Sequence, residues 1–168
     1  MDTQNKITVA QWNCRGIYRK IDEMKALISE MQTPPDIIML QETHLIPKYS
    51  PRLQGYTVIR KDRTIRGGGV ATFIADHLSY YEVSLNVADP IEAQFVKVGG
   101  ITIANVYIPP DQQTLPKDAL SFFSELRKKA LIVGDFNAHH QLWSSEKNNI
   151  RGQAVAEAID NNEIVVLN

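Results

Sequence analysis

Leu131-Ile132-Val133-Gly134-Asp135-Phe136-Asn137 is a short β-branched run that breaks on a glycine and then presents an aspartate and an asparagine two positions apart. Short apolar runs bounded by turn-forming residues read as strands. Runs of the same kind recur at residues 7–12, 37–40, 56–60, 70–75, 92–98, 101–107 and 164–167, so the chain is organised around strands. Between some of them the period changes. Ile21, Met24, Leu27, Ile28 and Met31 recur at three- and four-residue spacing, as do Leu120, Phe123, Leu126 and Ala130, and both patterns predict amphipathic helices. A third helix is expected over 152–161, where Ala154, Val155 and Ala158 form an apolar stripe that Asn161-Asn162 ends. Pro34-Pro35 closes the first helical region, Gly99-Gly100 joins two strands as a tight hairpin, and Pro109-Pro110 stops the strand before it. Hairpin-linked strands mixed with helix-separated ones imply α/β or α+β layering, with helices on the outer faces of sheets. No repeat, low-complexity tract or linker divides residues 1–168, which read as one domain.

The 168 residues are 43% hydrophobic and 22% charged, the balance of a globular domain. A domain of this size buries roughly two-thirds of the surface its unfolded chain exposes, so it needs no covalent staple. No stretch is long and apolar enough to span a bilayer, and the polar start 1–6 resembles neither a secretory signal nor a transit peptide, so an intracellular location without a membrane partner is expected. The lone cysteine, Cys14, excludes an internal disulfide and a cysteine-rich metal centre; it reads as a small buried filler. A net charge of -1 rules out nucleic-acid binding by bulk attraction and leaves it to local patches. Arg60, Lys61, Arg63 and Arg66 form one such patch and Arg15, Arg19 and Lys20 another. Each reads equally as a solvated loop or as a phosphate-contacting surface.

Chemistry is concentrated where strands end. Asn13 follows Val9-Ala10-Gln11-Trp12, Glu42 follows Ile37-Ile38-Met39-Leu40-Gln41, Tyr107 precedes Pro109-Pro110, and Asp135 with Asn137 follows Leu131-Ile132-Val133. Phosphoester hydrolysis needs charge neutralisation at the phosphoryl oxygens, a positioned water and stabilisation of the leaving oxygen. Magnesium takes one or two protein carboxylates and keeps several waters, so Glu42 with the Asn13 amide meets its protein share. Asp135 is then suited to orient or deprotonate the attacking water, with the Asn137 amide and the Tyr107 hydroxyl donating to the phosphate. The plainer readings are a strand-end turn for Asp135 and Asn137, a loop cap for Asn13, a surface carboxylate for Glu42 and a core aromatic for Tyr107. Gly67-Gly68-Gly69 lacks the Lys-Ser/Thr of a phosphate-cradling loop and reads as close backbone packing.

Five motifs stand in a familiar order: Gln11-Trp12-Asn13-Cys14-Arg15-Gly16, Leu40-Gln41-Glu42-Thr43, Arg66-Gly67-Gly68-Gly69-Val70, Asn105-Val106-Tyr107-Ile108-Pro109-Pro110 and Gly134-Asp135-Phe136-Asn137-Ala138-His139-His140. Together, over residues 7–168, they resemble the endonuclease/exonuclease/phosphatase superfamily. More narrowly they resemble the apurinic-type endonuclease domain of non-LTR retrotransposons. Pro109-Pro110 and the run from Asn137 to Trp143 are similar to insect retroelement endonucleases.

The resemblance implies a four-layer α/β/β/α sandwich whose strand ends gather into one cleft. It implies Asn13 and Glu42 at a Mg²⁺ site that Mn²⁺ could also fill, Tyr107 on the phosphate, and Asp135 with Asn137 at the nucleophile and transition state. Arg15, Arg66, His139 and Trp143 are candidates for substrate contact. DNA is the implied substrate, nicked to leave a 3′-hydroxyl, with a reverse transcriptase domain in the same polyprotein and a nuclear location. The family also carries a closing Ser-Asp-His and a further aspartate upstream of it; neither occurs in residues 1–168, so the sandwich is expected to lack its last strands. His44, His77, His139 and His140 do not occupy the family histidine's place in the sequence. Two alternatives stay open. One is an inactive remnant that binds nucleic acid or protein, with a homodimer through an exposed sheet edge; the other is a phosphatase of small phosphoesters.

Overall fold

The computed structural model of the chain describes residues 6–63, 67–111, 114–116, 118–126 and 129–167. Two four-stranded sheets form its centre. The first runs in the order β1 (Val9–Asn13), β2 (Ile37–Gln41), β4 (Val70–Ala75), β3 (Tyr56–Lys61), with β1 and β2 parallel and the other pairs antiparallel. The second runs β5 (Tyr80–Val83), β6 (Glu92–Val98), β7 (Ile101–Tyr107), β8 (Ala130–Asp135), antiparallel except for the parallel β7–β8 pair. Helix α1 (Ile21–Glu30) provides the crossover that parallel β1 and β2 require. Gly99 and Gly100 take φ of +56° and +83°, the left-handed pair that a two-residue hairpin loop demands.

Alternation along the strands sorts the apolar residues into three cores, and these define four layers. On the outer face of the first sheet, Ile38, Leu40, Ala71 and Phe73 pack against Ile17, Ile21 and Met24 of α1 and its approach. On the outer face of the second, Ala93, Phe95, Ala104 and Val106 meet Phe122 and Phe123 of the short α2 (Phe122–Glu125), with Ala158 and Ile159 of α3 (Ile150–Asn161) beside them. Between the sheets lie Ile37, Met39, Ile74, Val96, Val98 and Ile103. β2 is buried along its whole length because it is central in its sheet and covered on both faces.

The layer between the sheets changes character along the strands. The apolar cluster fills the far end, whereas the rows toward the strand ends that carry the expected chemistry are polar. Gln11 Nε2 donates to Gln41 Oε1 at 2.5 Å, Gln41 Nε2 donates across to Asn105 Oδ1 at 2.7 Å, and Asn105 Nδ2 donates to Ala71 O at 3.0 Å and Thr72 Oγ1 at 3.2 Å. Thr72 Oγ1 donates in turn to Gln94 Oε1 at 3.1 Å. Buried amides are costly unless paired; here they pair with one another across the sheet interface and fix the alignment of the two halves.

Three sequence expectations are corrected. Residues 164–167 form no strand: they follow α3 directly, Ile164 rests on the outer core of the second sheet, and Val165 and Leu167 are exposed. β-branched composition makes a strand only where another strand offers a ladder. The pattern at 120–130 yields a single turn of helix, because Lys129 turns left-handed at φ +52° and Ala130 opens β8 opposite Thr102. Tyr80–Val83, too polar to stand out in the sequence, is an edge strand that pairs with β6. Among the described residues no helix is long and apolar enough to cross a membrane.

Candidate active site

The register of both sheets brings the strand ends to one place. β1 pairs with β2 so that Asn13 lies beside Gln41, the residue before Glu42. β7 has Glu92 on one side and Asp135 on the other as partners of Tyr107. Strand partners share a face, so these residues form the top row of the inter-sheet layer, one row above Gln94 and Asn105.

Asn13 connects the halves. Its Nδ2 donates to Glu42 Oε1 at 2.7 Å and to Asp135 Oδ2 at 2.7 Å, so a single amide holds one carboxylate from each sheet. Asp135 Oδ1 accepts the Asn137 N–H at 3.1 Å, closing a turn in which Asn137 sits at φ +46°. Tyr107, in the same row, is buried; desolvation, with the charge and hydrogen-bonding contact of Glu42 added, raises its hydroxyl far above the ordinary phenol range.

The loop carrying Glu42 is clamped from both sides. The Gly16 N–H donates to Glu42 O at 2.7 Å and Ile17 N to Thr43 O at 3.0 Å; on the other side Thr43 N donates to Gly69 O at 3.0 Å and His44 N to Gly68 O at 2.9 Å. A Cβ at Gly68 would lie 2.5 Å from Glu92 Oε1 and one at Gly69 2.7 Å from Thr43 Oγ1, so these two glycines are closely packed against side chains, whereas nothing lies within 4 Å of one at Gly67. Glu42, His44, Arg15 and Asn137 all take left-handed φ between +42° and +51°. Such conformations cost roughly 1–2 kcal/mol each for a non-glycine residue and gather where a site over-determines the backbone.

Of the expected residues, Asn13, Glu42, Tyr107, Asp135 and Asn137 converge. Arg15 is exposed beside Asn13, whose Oδ1 accepts the Arg15 N–H at 3.3 Å. His139 is exposed. Trp143 is half-buried and donates its indole N–H to Ala138 O at 2.9 Å, within the loop that follows Asn137. Arg66 lies outside the described residues. The Asn137 side-chain amide, expected on substrate, donates to Ile108 O at 3.0 Å, because the left-handed turn folds it back over the end of β7. Arg60 is occupied by Asp62 and by the Ile46 carbonyl at 2.7 Å, so this member of the basic group is neither freely solvated nor available to a phosphate.

Three neighbours escaped the sequence reading. His44 Nε2 lies 3.7 Å from Glu42 Oε2. Glu92 is buried, accepts the Gly69 N–H and faces Arg63 Nε at 3.3 Å; desolvation lifts its carboxyl above the usual range against both of those partners. Arg151, only 3% exposed, donates from Nη1 to Asn137 O at 3.2 Å. Its signal was an arginine in register with Val155 and Ile159 on the inward stripe of α3.

No cluster of three or more His, Cys, Asp or Glu side chains able to cage a metal occurs among the described residues. The donors at hand are hard oxygens, the Glu42 and Asp135 carboxylates and Asn13 Oδ1, a set suited to a cation that keeps most of its waters. A groove of about 870 Å³ under α1, lined by Pro35, Asp36, Tyr56 and His77 among others, opens at the opposite strand ends and shares none of these residues.

Two sheets face to face between helices form the four-layer fold of endonuclease/exonuclease/phosphatase proteins, with an Asn, a Glu, a Tyr and an Asp-x-Asn at their shared end. The chain is similar in sequence to endonuclease-carrying proteins of non-LTR retrotransposons. Residues 101–168 match the family model described as endonuclease-reverse transcriptase. The chain is 28% identical over 171 residues to the RNA-directed DNA polymerase from mobile element jockey of Drosophila melanogaster, and 25% identical over 165 residues to the probable RNA-directed DNA polymerase from transposon X-element of the same species. Those alignments cover 98% and 94% of this chain but 18% of each relative, so the chain spans less than a fifth of their length. Among solved structures, the endonuclease domain of TRAS1, a telomere-specific non-LTR retrotransposon, superposes with TM-score 0.71 at 18% identity, covering 97% of this chain and 74% of that one. An AP endonuclease from Archaeoglobus fulgidus gives TM-score 0.64 at 19% identity, covering 93% and 70%.

Proposed function

We propose that this chain is the DNA-nicking part of a retroelement protein: a Mg²⁺-dependent endonuclease, with Mn²⁺ a workable substitute, that hydrolyses a phosphodiester and leaves a 3′-hydroxyl for a reverse transcriptase domain of the same polyprotein. The observation that supports it is the single Asn13 amide holding Glu42 and Asp135 at one strand-end row that Tyr107 shares. Glu42 and Asn13 Oδ1 would hold the cation, whose chemistry is to neutralise phosphoryl charge. Asp135, fixed through both carboxylate oxygens, orients the attacking water and takes its proton. Tyr107 donates to a phosphoryl oxygen. Arg15, Arg66, His139 and Trp143 would meet the flanking DNA, and the work would be done in the nucleus.

The test is plasmid nicking with Mg²⁺ by the chain and by a version extended along its reading frame past Asn168. Nicking that Asp135→Ala and Glu42→Ala each abolish supports the reading; no nicking by either version, or nicking that survives both substitutions, sinks it. A second reading, a binding module that dimerises, draws on β8, whose Leu131, Ile132 and Val133 are only half-buried and which pairs on one side alone among the described residues. Sedimentation at twice the chain mass with no nicking would favour it.

A further inference from the structure

Arg151 is an unusual residue to find in the first turn of a helix that packs on a sheet, because a buried guanidinium needs partners to offset its desolvation. The surrounding structure is built to bring it there. Asn149 caps α3 by accepting Gly152 N at 2.6 Å, and the same Oδ1 accepts His139 N at 3.1 Å. A Cβ at Gly152 would sit 1.9 Å from the His139 carbonyl oxygen, so only glycine lets the helix start approach the strand-end loop this closely. The Asn149 N–H closes the arrangement on His139 O at 2.9 Å. The loop between Asn137 and α3 is thus drawn shut at its base, and the side chain delivered to that base is Arg151.

From there a continuous hydrogen-bonded chain crosses the molecule. Arg151 Nη1 donates to Asn137 O; the Asn137 N–H donates to Asp135 Oδ1; Asp135 Oδ2 accepts from Asn13 Nδ2; and the same Nδ2 donates to Glu42 Oε1. The chain starts on α3, outside the second sheet, and ends on the first sheet. Its first link bears on the one left-handed residue of the Asp-x-Asn turn. A planar, permanently charged fork is suited to holding a carbonyl in place, because it loses little freedom per bond formed.

We propose that Arg151 is a positioning residue for the site: by holding the Asn137 carbonyl it sets the turn that aims Asp135, and through Asn13 it sets the separation of the Asp135 and Glu42 carboxylates. The catalytic part of this inference rests on the endonuclease reading, but the positioning part does not. The residue acts through Asn137 and does not itself touch substrate.

The experiment compares wild type with Arg151→Met, Arg151→Lys and, as a control on the exposed face of α3, Gln153→Ala. The first readout needs no activity: the side-chain NH₂ resonances of Asn13 in a ¹H–¹⁵N spectrum, recorded beside the Thr8 amide, which donates to Asp36 at the other end of β1. Arg151→Met is expected to move the Asn13 side-chain signals and leave Thr8 in place. Arg151→Lys is expected to restore them in part, and Gln153→Ala to change neither. The second readout is nicking: kcat falling about a hundredfold in Arg151→Met, as for a small misplacement of a reacting group, with KM held within about threefold. If Arg151→Met is too unstable to fold, the Lys variant decides by the same signals. Unmoved Asn13 signals in a folded variant, or kcat unchanged in an active enzyme, overturn the proposal. Asn13 signals that move in Arg151→Met, in a protein whose given and extended versions both nick nothing, would reject the endonuclease reading and leave the positioning role standing.

Discussion

Replacing Gly134 by alanine places one methyl group where the fold has no room for it. A Cβ built at Gly134 lies 1.8 Å from Val106 O, 2.7 Å from Val106 C and 2.9 Å from Val106 N, all backbone atoms that no rotamer can move aside. Ordinary contact of a methyl with an oxygen is about 3.4 Å or more, so β8 must retreat from β7 by well over 1 Å. The parallel ladder at this point includes the Ile108 N–H to Asp135 O bond at 2.9 Å, which cannot survive such a shift. Overpacking of this sort costs about 1–3 kcal/mol, and each lost ladder bond adds about 1 kcal/mol. A total near 3 kcal/mol lowers Tm by roughly 6–12 °C in a domain of this length. The comparison variant is Gly100→Ala, where φ is +83° and nothing lies within 4 Å, so only the left-handed strain of roughly 1–2 kcal/mol applies. Thermal unfolding followed by circular dichroism separates the two causes. If Gly134→Ala melts no lower than Gly100→Ala, backbone crowding is not what reserves position 134 for glycine.

Other outcomes follow from the same geometry. Gly152→Ala improves helix propensity by about 1 kcal/mol on paper, yet the 1.9 Å approach to His139 O reverses the sign, and a lowered Tm is expected; a raised Tm would refute the packing account. Burial raises the carboxyl of Glu92, so its contribution to stability is fully present below the unfolded glutamate value and is lost as pH climbs through the higher folded value. Melting curves of Glu92→Gln against wild type should therefore diverge in favour of the glutamine as pH rises from about 4 toward neutrality, and a constant difference would contradict this. Burial pushes the Cys14 thiol up to about 11, so a disulfide reagent at pH 8 should modify it only after unfolding; rapid native-state labelling would count against its packed position.

Strand bounds were legible where β-branched runs end on turn residues, as at Val70–Ala75, Glu92–Val98 and Ile101–Tyr107. The same signal failed at 164–167 because a strand also needs a neighbour, and no local pattern encodes that. It missed Tyr80–Val83 because an edge strand with one solvated face carries little apolar density. That Asn13, Glu42, Tyr107, Asp135 and Asn137 lie at strand ends could be read from the sequence. That one asparagine joins the two carboxylates depends on the register between sheets, which sequence does not state. Arg151 was overlooked because among Ile150, Gly152 and Gln153 it reads as the solvated part of a helix start, although its four-residue spacing to Val155 and Ile159 sets it on the inward stripe.

The distribution of polar groups explains how the domain tolerates such a site. A row of amides, a buried carboxylate and several left-handed non-glycine residues all work against stability, and all lie at one end of the strands. At the other end of the same strands Ile37, Ile74, Val96 and Ile103 form an inter-sheet core without polar interruption, while two outer cores tie each sheet to its helices. Gln41 and Asn105 lie between the two regimes, each fully buried and each bonded to the other sheet. Hydrophobic contact does not fix how one sheet slides over another, since it is non-directional; a hydrogen bond does, since it fails beyond a few tenths of an ångström. The amides thus define the sheet alignment that the apolar end leaves loose, and they do so one row beneath the carboxylates whose spacing depends on it.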